Sequence, residues 1–348
     1  MEKNKLNLYT LETSVMAKKF RILSIDGGGL RGIIPIVVLQ ELERRMGGKR
    51  IHEMFDMVAG TSTGGLIACA IILSDDGKTA KYDLNEVLSV YTVRGKEIFP
   101  QKNFLGKIVN AVTALKRPEF SASGLDKVLR DMVDHKRIMN CLLPLFVTSY
   151  DLLNNEAILF TSSDAASDPQ LNAELYDICR ATSAGPTYLP AYACNYGGKK
   201  RVFVDGGVFM NNPCVGALVE AIKFDSTNPY SQAHDIKDVC VLSLGTGHYT
   251  ADLASKMMVS GGELDWAKPI SDVMMQGVNA TFAYEAQKIL EPGQFLRISL
   301  EIGEEKFSNM ADSSDQTRDY LLNEAKNQIL NNSVLMNQLD AFIKTAGL

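Results

Sequence analysis

The sequence predicts an α/β protein: a three-layer α/β/α sandwich with a mainly parallel central sheet, built as a single domain. Three observations carry that expectation. Short β-branched runs alternate with longer helical patterns, glycine turns follow four of the runs, and no repeat or low-complexity linker divides the chain. Apolar residues make up 46% of the 348 positions, enough for one large core.

Taken in order, residues 1–19 are polar and are expected to form a flexible tail, leaving 20–348 as the folded unit. FRILSI is a strand pattern, DGGGLRG a turn, and IIPIVVLQELERRM a helix whose Pro35 falls in the first turn, where proline is tolerated. The same strand, glycine turn and helix recur in MFDMVAG, GTSTGG and LIACAII. DLNEVLSVYTVRGKEIF reads as one helix opened by Asp83 and Glu86 at capping-box spacing. PLFVTSYDL and EAILFTS are strand candidates, and AELYDICRATSAG is a helix stopped at Gly185-Pro186. RVFVDGG and VCVLSLGTG are again strands running into glycine turns. A helical region over 265–290, a strand at FLRISLE and further helices close the chain. In open sheets of this kind, sites form at the carboxyl ends of strands, where the glycine turns fall.

Composition removes several classes of function. A net charge of −5 argues against nucleic acid as partner and against a general polybasic grip on anionic membranes. The six cysteines form no CxxC pair and sit mostly in apolar segments, as reduced core residues do. The N-terminal segment lacks the apolar stretch of a Sec signal peptide, and the apolar runs are too short to span a bilayer. A cytoplasmic protein with peripheral membrane contact is expected, with export by another route left open. No metal cluster, Walker A lysine motif or nucleic-acid module is present, and no cofactor is implied.

Gly60-Thr61-Ser62-Thr63-Gly64 fits G-x-S-x-G. A nucleophile on a sharp strand-to-helix turn sits in a strained conformation, so Gly60 and Gly64 supply the small neighbours it needs. The helix that follows aims its N-terminal dipole at Ser62, favouring the negative charge of acyl transfer. Asp26 to Gly32 also fits G-x-G-x-x-G at Gly27, Gly29 and Gly32. A dinucleotide site is one reading, but the next strand carries no ribose-binding acid at its tip. The others are a plain tight turn, or an oxyanion hole of bare amides with Arg31 adding positive charge. For the base, Asp205 and His248 both follow strands. Ser62, Asp205 and His248 reproduce the chain order of a hydrolase triad, whereas Asp205 alone would make a dyad that needs a close, desolvated pair. His52, His135 and His234 read as ordinary surface or core residues.

DGGGLRG, GTSTGG and DGG, in that order, resemble the patatin family of lipid acyl hydrolases. So do ELYDICRATSAGPTYLPAY, VCVLSLGTG and MMQGVNA, and the resemblance runs from about residue 20 to the last helices. It implies a dyad of Ser62 as nucleophile and Asp205 as base, with no catalytic histidine, which demotes His248. It also implies an oxyanion hole drawn from Gly27, Gly28, Gly29, Arg31 and Gly32. The substrates it implies are phospholipids or galactolipids at a membrane surface, with an apolar tunnel for the acyl chain beside Ser62. Two alternatives stand beside this: a storage or binding protein with vestigial activity, and a lipase effector switched on by a partner or ligand. In the third motif glycine stands where plant patatins often carry alanine. The segment 103–120 (NFLGKIVNAVTALKRPEF) spaces its apolar residues as a helix does and is flanked by Lys102, Lys107, Lys116 and Arg117. It is expected either to dock on the membrane or to pack on the body.

Overall fold

The computed structural model describes residues 19–101, 117–223, 235–250, 262, 266 and 270–348. Residues 1–18 of the expected N-terminal tail, Lys102 with residues 103–116 of the basic segment, and His234 lie outside them.

One eight-stranded sheet organises the molecule. Its strands are β1 (Phe20–Ile25), β2 (Met57–Thr61), β3 (Leu145–Asp151), β4 (Glu156–Thr161), β5 (Tyr192–Tyr196), β6 (Lys199–Asp205), β7 (Val239–Leu244) and β8 (Phe295–Ile298). The order is β5-β6-β3-β2-β1-β7-β8, with β4 also paired to β3. β3, β2, β1, β7 and β8 are parallel neighbours, while β4, β5 and β6 join antiparallel.

The strands bury both faces, and alternate residues feed two cores. Leu23, Ile25, Val58, Val147 and Leu242 face one core with the helices α1 (Ile33–Arg45), α2 (Thr63–Ile72), α3 (Leu84–Thr92), α4 (Ser123–Val133) and α5 (Leu175–Thr182). Ile22, Met57, Ala59, Phe146 and Val241 face the other, with α6 (Cys214–Ile222) and α7 (Ile270–Ile289). The fold is thus the expected three-layer α/β sandwich.

Two local readings need correction. The single helix expected over 83–99 is two: the Asp83–Glu86 capping box starts α3, but the chain turns at Arg94 into a short helix at Gly95–Ile98. Gly95 lets that second piece lie against Leu30, whose Cδ2 would be 2.8 Å from an added Cβ. β5 was not expected. It pairs with β6 through Gly197-Gly198, both at positive φ (59° and 71°), the two-residue turn that matches strand twist.

The register decides where strand ends meet. β4 occupies one edge of β3 over residues 146–151, so β2 and β6 share the other edge. β2 runs parallel to β3 and stops at Thr61 opposite Thr148; β6 runs antiparallel and stops at Asp205 opposite Ser149. The two strands therefore meet head-on, carboxyl end to carboxyl end.

Phe146 is 1% exposed in the second core, with Gly216 of α6 close against its ring. Phe146→Ala is expected to cost about 3–5 kcal/mol in urea denaturation. Val219→Ala, on the same helix but 55% exposed, should stay within about 0.5 kcal/mol of the parent.

Candidate active site

Ser62 occupies the gap between β2 and α2 with φ 53° and ψ −124°, a conformation strained for any residue with a side chain. Small neighbours permit it. A Cβ on Gly60 would lie 2.3 Å from the Gly64 backbone, and one on Gly64 would lie 2.1 Å from the Ile25 carbonyl oxygen. Four threonines pin the turn. Thr61 Oγ1 donates to the Met210 carbonyl at 2.7 Å and shares a 2.7 Å hydrogen bond with Thr148 Oγ1. Thr182 Oγ1 accepts the Ser62 amide at 2.8 Å, and Thr63 Oγ1 meets the Tyr91 hydroxyl at 2.7 Å. Every residue of α2 is buried, so its N-terminal dipole acts on Ser62 without solvent screening.

Asp205 ends β6 facing this turn and is 9% exposed. Its carboxylate accepts the Gly207 amide at 2.8 Å and lies near enough to the Ser62 side chain to feel it. Burial pushes its pKa up to about 6, against the pull of the Ser62 hydroxyl and the Gly207 amide. The reading that Asp205 lies beside Ser62 on a common sheet edge is corrected in its geometry, since the strands meet end to end instead.

The glycine loop of 26–32 closes the other side. Gly27 touches the nucleophile's turn: a Cβ there would be 3.1 Å from Ser62 Cβ. Its amide donates to the Asn211 carbonyl at 3.1 Å, and its own carbonyl accepts from Thr246 Oγ1 at 2.7 Å. The expectation that Gly27 donates to an oxyanion is therefore corrected, because its N–H is already committed. The Gly28 and Gly29 amides have no hydrogen-bond partner among the described residues and remain available. Gly29 needs its positive φ (58°), and a Cβ there would strike the Met310 carbonyl oxygen at 2.3 Å. Gly32 is a packing position, with Thr63 Oγ1 and the Tyr91 ring each 2.7 Å from an added Cβ. The Arg31 amide donates to the Gly28 carbonyl at 3.2 Å. Burial pulls its guanidinium pKa down, and the charges of Asp272, Tyr188 and Asp26 oppose that shift.

His248 is not brought to the pair. Its amide donates to the Leu300 carbonyl at 3.1 Å and its carbonyl accepts the Ile302 amide at 2.7 Å, which draws it toward the segment after β8. No hydrogen bond joins it to Ser62 or Asp205 among the described residues. Two cavities lie away from Ser62. One is bounded by Leu30, Tyr91 and Asp312, the other by Arg137, Asp177 and Cys194.

Sequence reasoning missed the supports. Arg297 on β8 donates from one nitrogen to Asp26 Oδ1 at 2.8 Å and to Ser243 Oγ at 2.7 Å, and its other nitrogen bonds Asp26 Oδ2. This buried ion pair anchors the first residue of the glycine loop. Asn211 donates its amide nitrogen to the Gly27 carbonyl at 3.3 Å and to Asn279 Oδ1 at 3.1 Å. The polar residues in MNNP, LGTG and ATSAG, each near a strand or helix end, were the available signal.

Gly64→Ala is expected to cost at least about 3 kcal/mol in thermal unfolding, because backbone must move to admit the methyl. Asp205 gives a second test. The folded state holds its proton more tightly than an unfolded chain, whose aspartates titrate near 3.8. Its contribution to stability is thus greatest at low pH and is lost as the pH rises through about 6. Asp205→Asn should raise stability at pH 8 by about 1–3 kcal/mol, and the gain should vanish near pH 4.

Comparison with known proteins shows what the chain is similar to. The model of the family described as patatin-like phospholipase matches residues 23–218. Patatin-like protein 1 of Oryza sativa subsp. indica is 33% identical, over 82% of this chain and 75% of its own length. Patatin-2-Kuras 4 of Solanum tuberosum is 31% identical over 78% of this chain and 74% of its own. A protein of the same species named probable inactive patatin-3-Kuras 1 is 29% identical over 74% and 71%.

Proposed function

The chain belongs to the patatin-like phospholipase family, a family of lipid acyl hydrolases, and we propose that it cleaves fatty acyl esters of membrane lipids through a Ser62–Asp205 dyad. The meeting of the strained serine with a buried carboxylate that has no cation partner among the described residues carries this reading. Likeness alone would not suffice, since one similar protein is named probable inactive.

In the proposed reaction Asp205 takes the proton of Ser62 Oγ as that oxygen attacks the ester carbonyl. A base with a pKa near 6 accepts a proton far more readily than an ordinary aspartate does, yet stays ionised at neutral pH. The Gly28 and Gly29 amides, with the N-terminus of α2 behind Ser62, receive the oxyanion. One such donor is typically worth about 100- to 1,000-fold in rate. Asp205 then gives its proton to the leaving alcohol, and a water activated by the same carboxylate releases the fatty acid from Ser62. Phospholipids or galactolipids are the proposed substrates, with a lysolipid or glycerol-type alcohol as the second product. No step calls for a cofactor.

A storage or binding protein would need neither the strained Ser62 nor the buried Asp205 charge, and both burden the fold. The two together favour the catalytic reading.

Fatty-acid release from mixed phospholipid vesicles tests it. Ser62→Ala and Asp205→Asn should each lose about 1,000-fold or more while staying folded, and His248→Ala should remain within a few-fold of the parent. An inactive, folded His248→Ala would replace the dyad with a triad. With a soluble ester, kcat/KM should fall on the acid side with an apparent pKa near 6, the protonation of Asp205.

A further inference from the structure

α7 is the least covered long helix of the described structure, and its two faces differ sharply. The inward face carries Phe282 and the fully buried Ala286 into the second core. It also brings Asn279 to Asn211, which holds the glycine loop. α7 packs against the Gly206–Val208 turn directly after Asp205. The Asp272 charge, near its start, acts on Arg31 and Tyr188. The helix therefore borders the catalytic pair.

Its outward face is apolar where a solvated helix would carry charge. Ile270, Val273, Met274 and Tyr284 follow helical spacing with Gly277 between them, and Trp266 stands four positions before Ile270 in the sequence. These side chains are 36% (Trp266) to 61% (Tyr284) exposed. A Cβ added to Gly277 meets nothing within 4 Å, so the middle of the stripe faces open space. Lys288, 5.6 Å from the Tyr284 ring centroid, and Glu285 mark its polar limit.

We infer that this face of α7 is the surface by which the protein docks on a lipid–water interface, setting the mouth of the Ser62–Asp205 site against its substrate. The choice of occupant rests on the hydrolase reading above, because the stripe adjoins the turn that carries the base. The chemistry agrees. Tryptophan, methionine and aliphatic side chains suit the boundary between headgroups and acyl chains. Among its described residues the stripe offers no cation before Lys288, and the protein's net charge is −5, so the fitting surface is neutral or zwitterionic rather than anionic. This places docking on a helix that the basic segment 103–120 does not include.

Trp266 is the chain's only tryptophan and reports directly on the stripe. Binding is measured on Ser62→Ala protein, so that vesicles are not consumed, by tryptophan emission and by flotation with phosphatidylcholine vesicles at low and high salt. Blue-shifted emission and salt-insensitive flotation are expected. The double variant Val273→Asp/Met274→Asp and, independently, Gly277→Glu should weaken flotation about tenfold or more. In the active background, both should lower hydrolysis of vesicle lipid by a similar factor and leave p-nitrophenyl butyrate hydrolysis within about twofold. A purely structural defect would lower both activities together and overturn the proposal. So would the absence of an emission shift, or flotation only with anionic vesicles and its loss in salt. A concentration-dependent dimer abolished by the variants, with vesicle binding intact, would assign the face to a second copy instead. If the parent cleaves neither substrate, the proposed hydrolysis falls, and flotation still decides the docking by itself.

Discussion

The head-on meeting of β2 and β6 along one edge of β3 is the constraint on which the rest of the site depends. Two strands that share an edge and run toward each other must both turn away where they meet, and each turn here places a functional side chain at the seam. One is the strained elbow at Ser62; the other is the Gly206-Gly207 turn after Asp205. The seam is fastened from the β3 side. Thr148 Oγ1 bonds Thr61, Ser149 Oγ donates to the Val204 carbonyl at 2.8 Å, and a Cβ on Gly206 would lie 2.5 Å from the Thr148 carbonyl oxygen. A one-residue slip of either strand would carry Ser62 or Asp205 away from the junction and turn its neighbours to the wrong face.

Three buried carboxylates in this sheet show what the site requires electrostatically. Asp26 has Arg297, and Asp151 has Arg201 at 2.9 Å. Among the described residues no cation pairs with Asp205, which has the nearby Ser62 hydroxyl and the Gly207 amide, and burial pushes its pKa up to about 6; Asp151 is held below the usual carboxylate range, while burial raises Asp26 as well despite Arg297. A guanidinium beside Asp205 would stabilise the fold but would also hold the carboxylate in its charged form and weaken it as a base. The molecule thus uses neutralised carboxylates as anchors and leaves the reactive one uncompensated, at a cost to stability that the surrounding core must offset.

The parts of this arrangement that were legible in the sequence are those whose cause is local. The elbow follows from what Ser62 needs of Gly60 and Gly64, and the bare loop from three adjacent glycines. The α/β layering follows from strand and helix periods. The meeting of Ser62 and Asp205 has no local cause. Strand alternation suggested a shared carboxyl edge, whereas the actual contact comes from an antiparallel strand whose direction is reversed by the Gly197-Gly198 turn. That dipeptide was a readable hairpin signal. Arg297 was not readable, because a lone arginine in a short strand looks like any other. Gly27 shows a different limit: its place in the motif was clear, but the commitment of its amide to Asn211 depends on a segment 184 residues away. The apolar outward face of α7 was not legible, because an amphipathic or apolar pattern by itself says only that one face is buried, not which face is left to solvent.

Asp26 and Arg297 are separated by 271 positions, and the amide of Leu30 donates to the carbonyl of Met310. Ser62 and Asp205, by contrast, both fall within the stretch 23–218. During vectorial synthesis the nucleophile and base therefore emerge well before the segment that clamps the oxyanion loop. A nascent chain halted near residue 220 would carry the dyad with an unanchored loop. The ion pair is thus closed only once β8 has arrived, so the loop beside Ser62 is among the last parts of the site to be fixed.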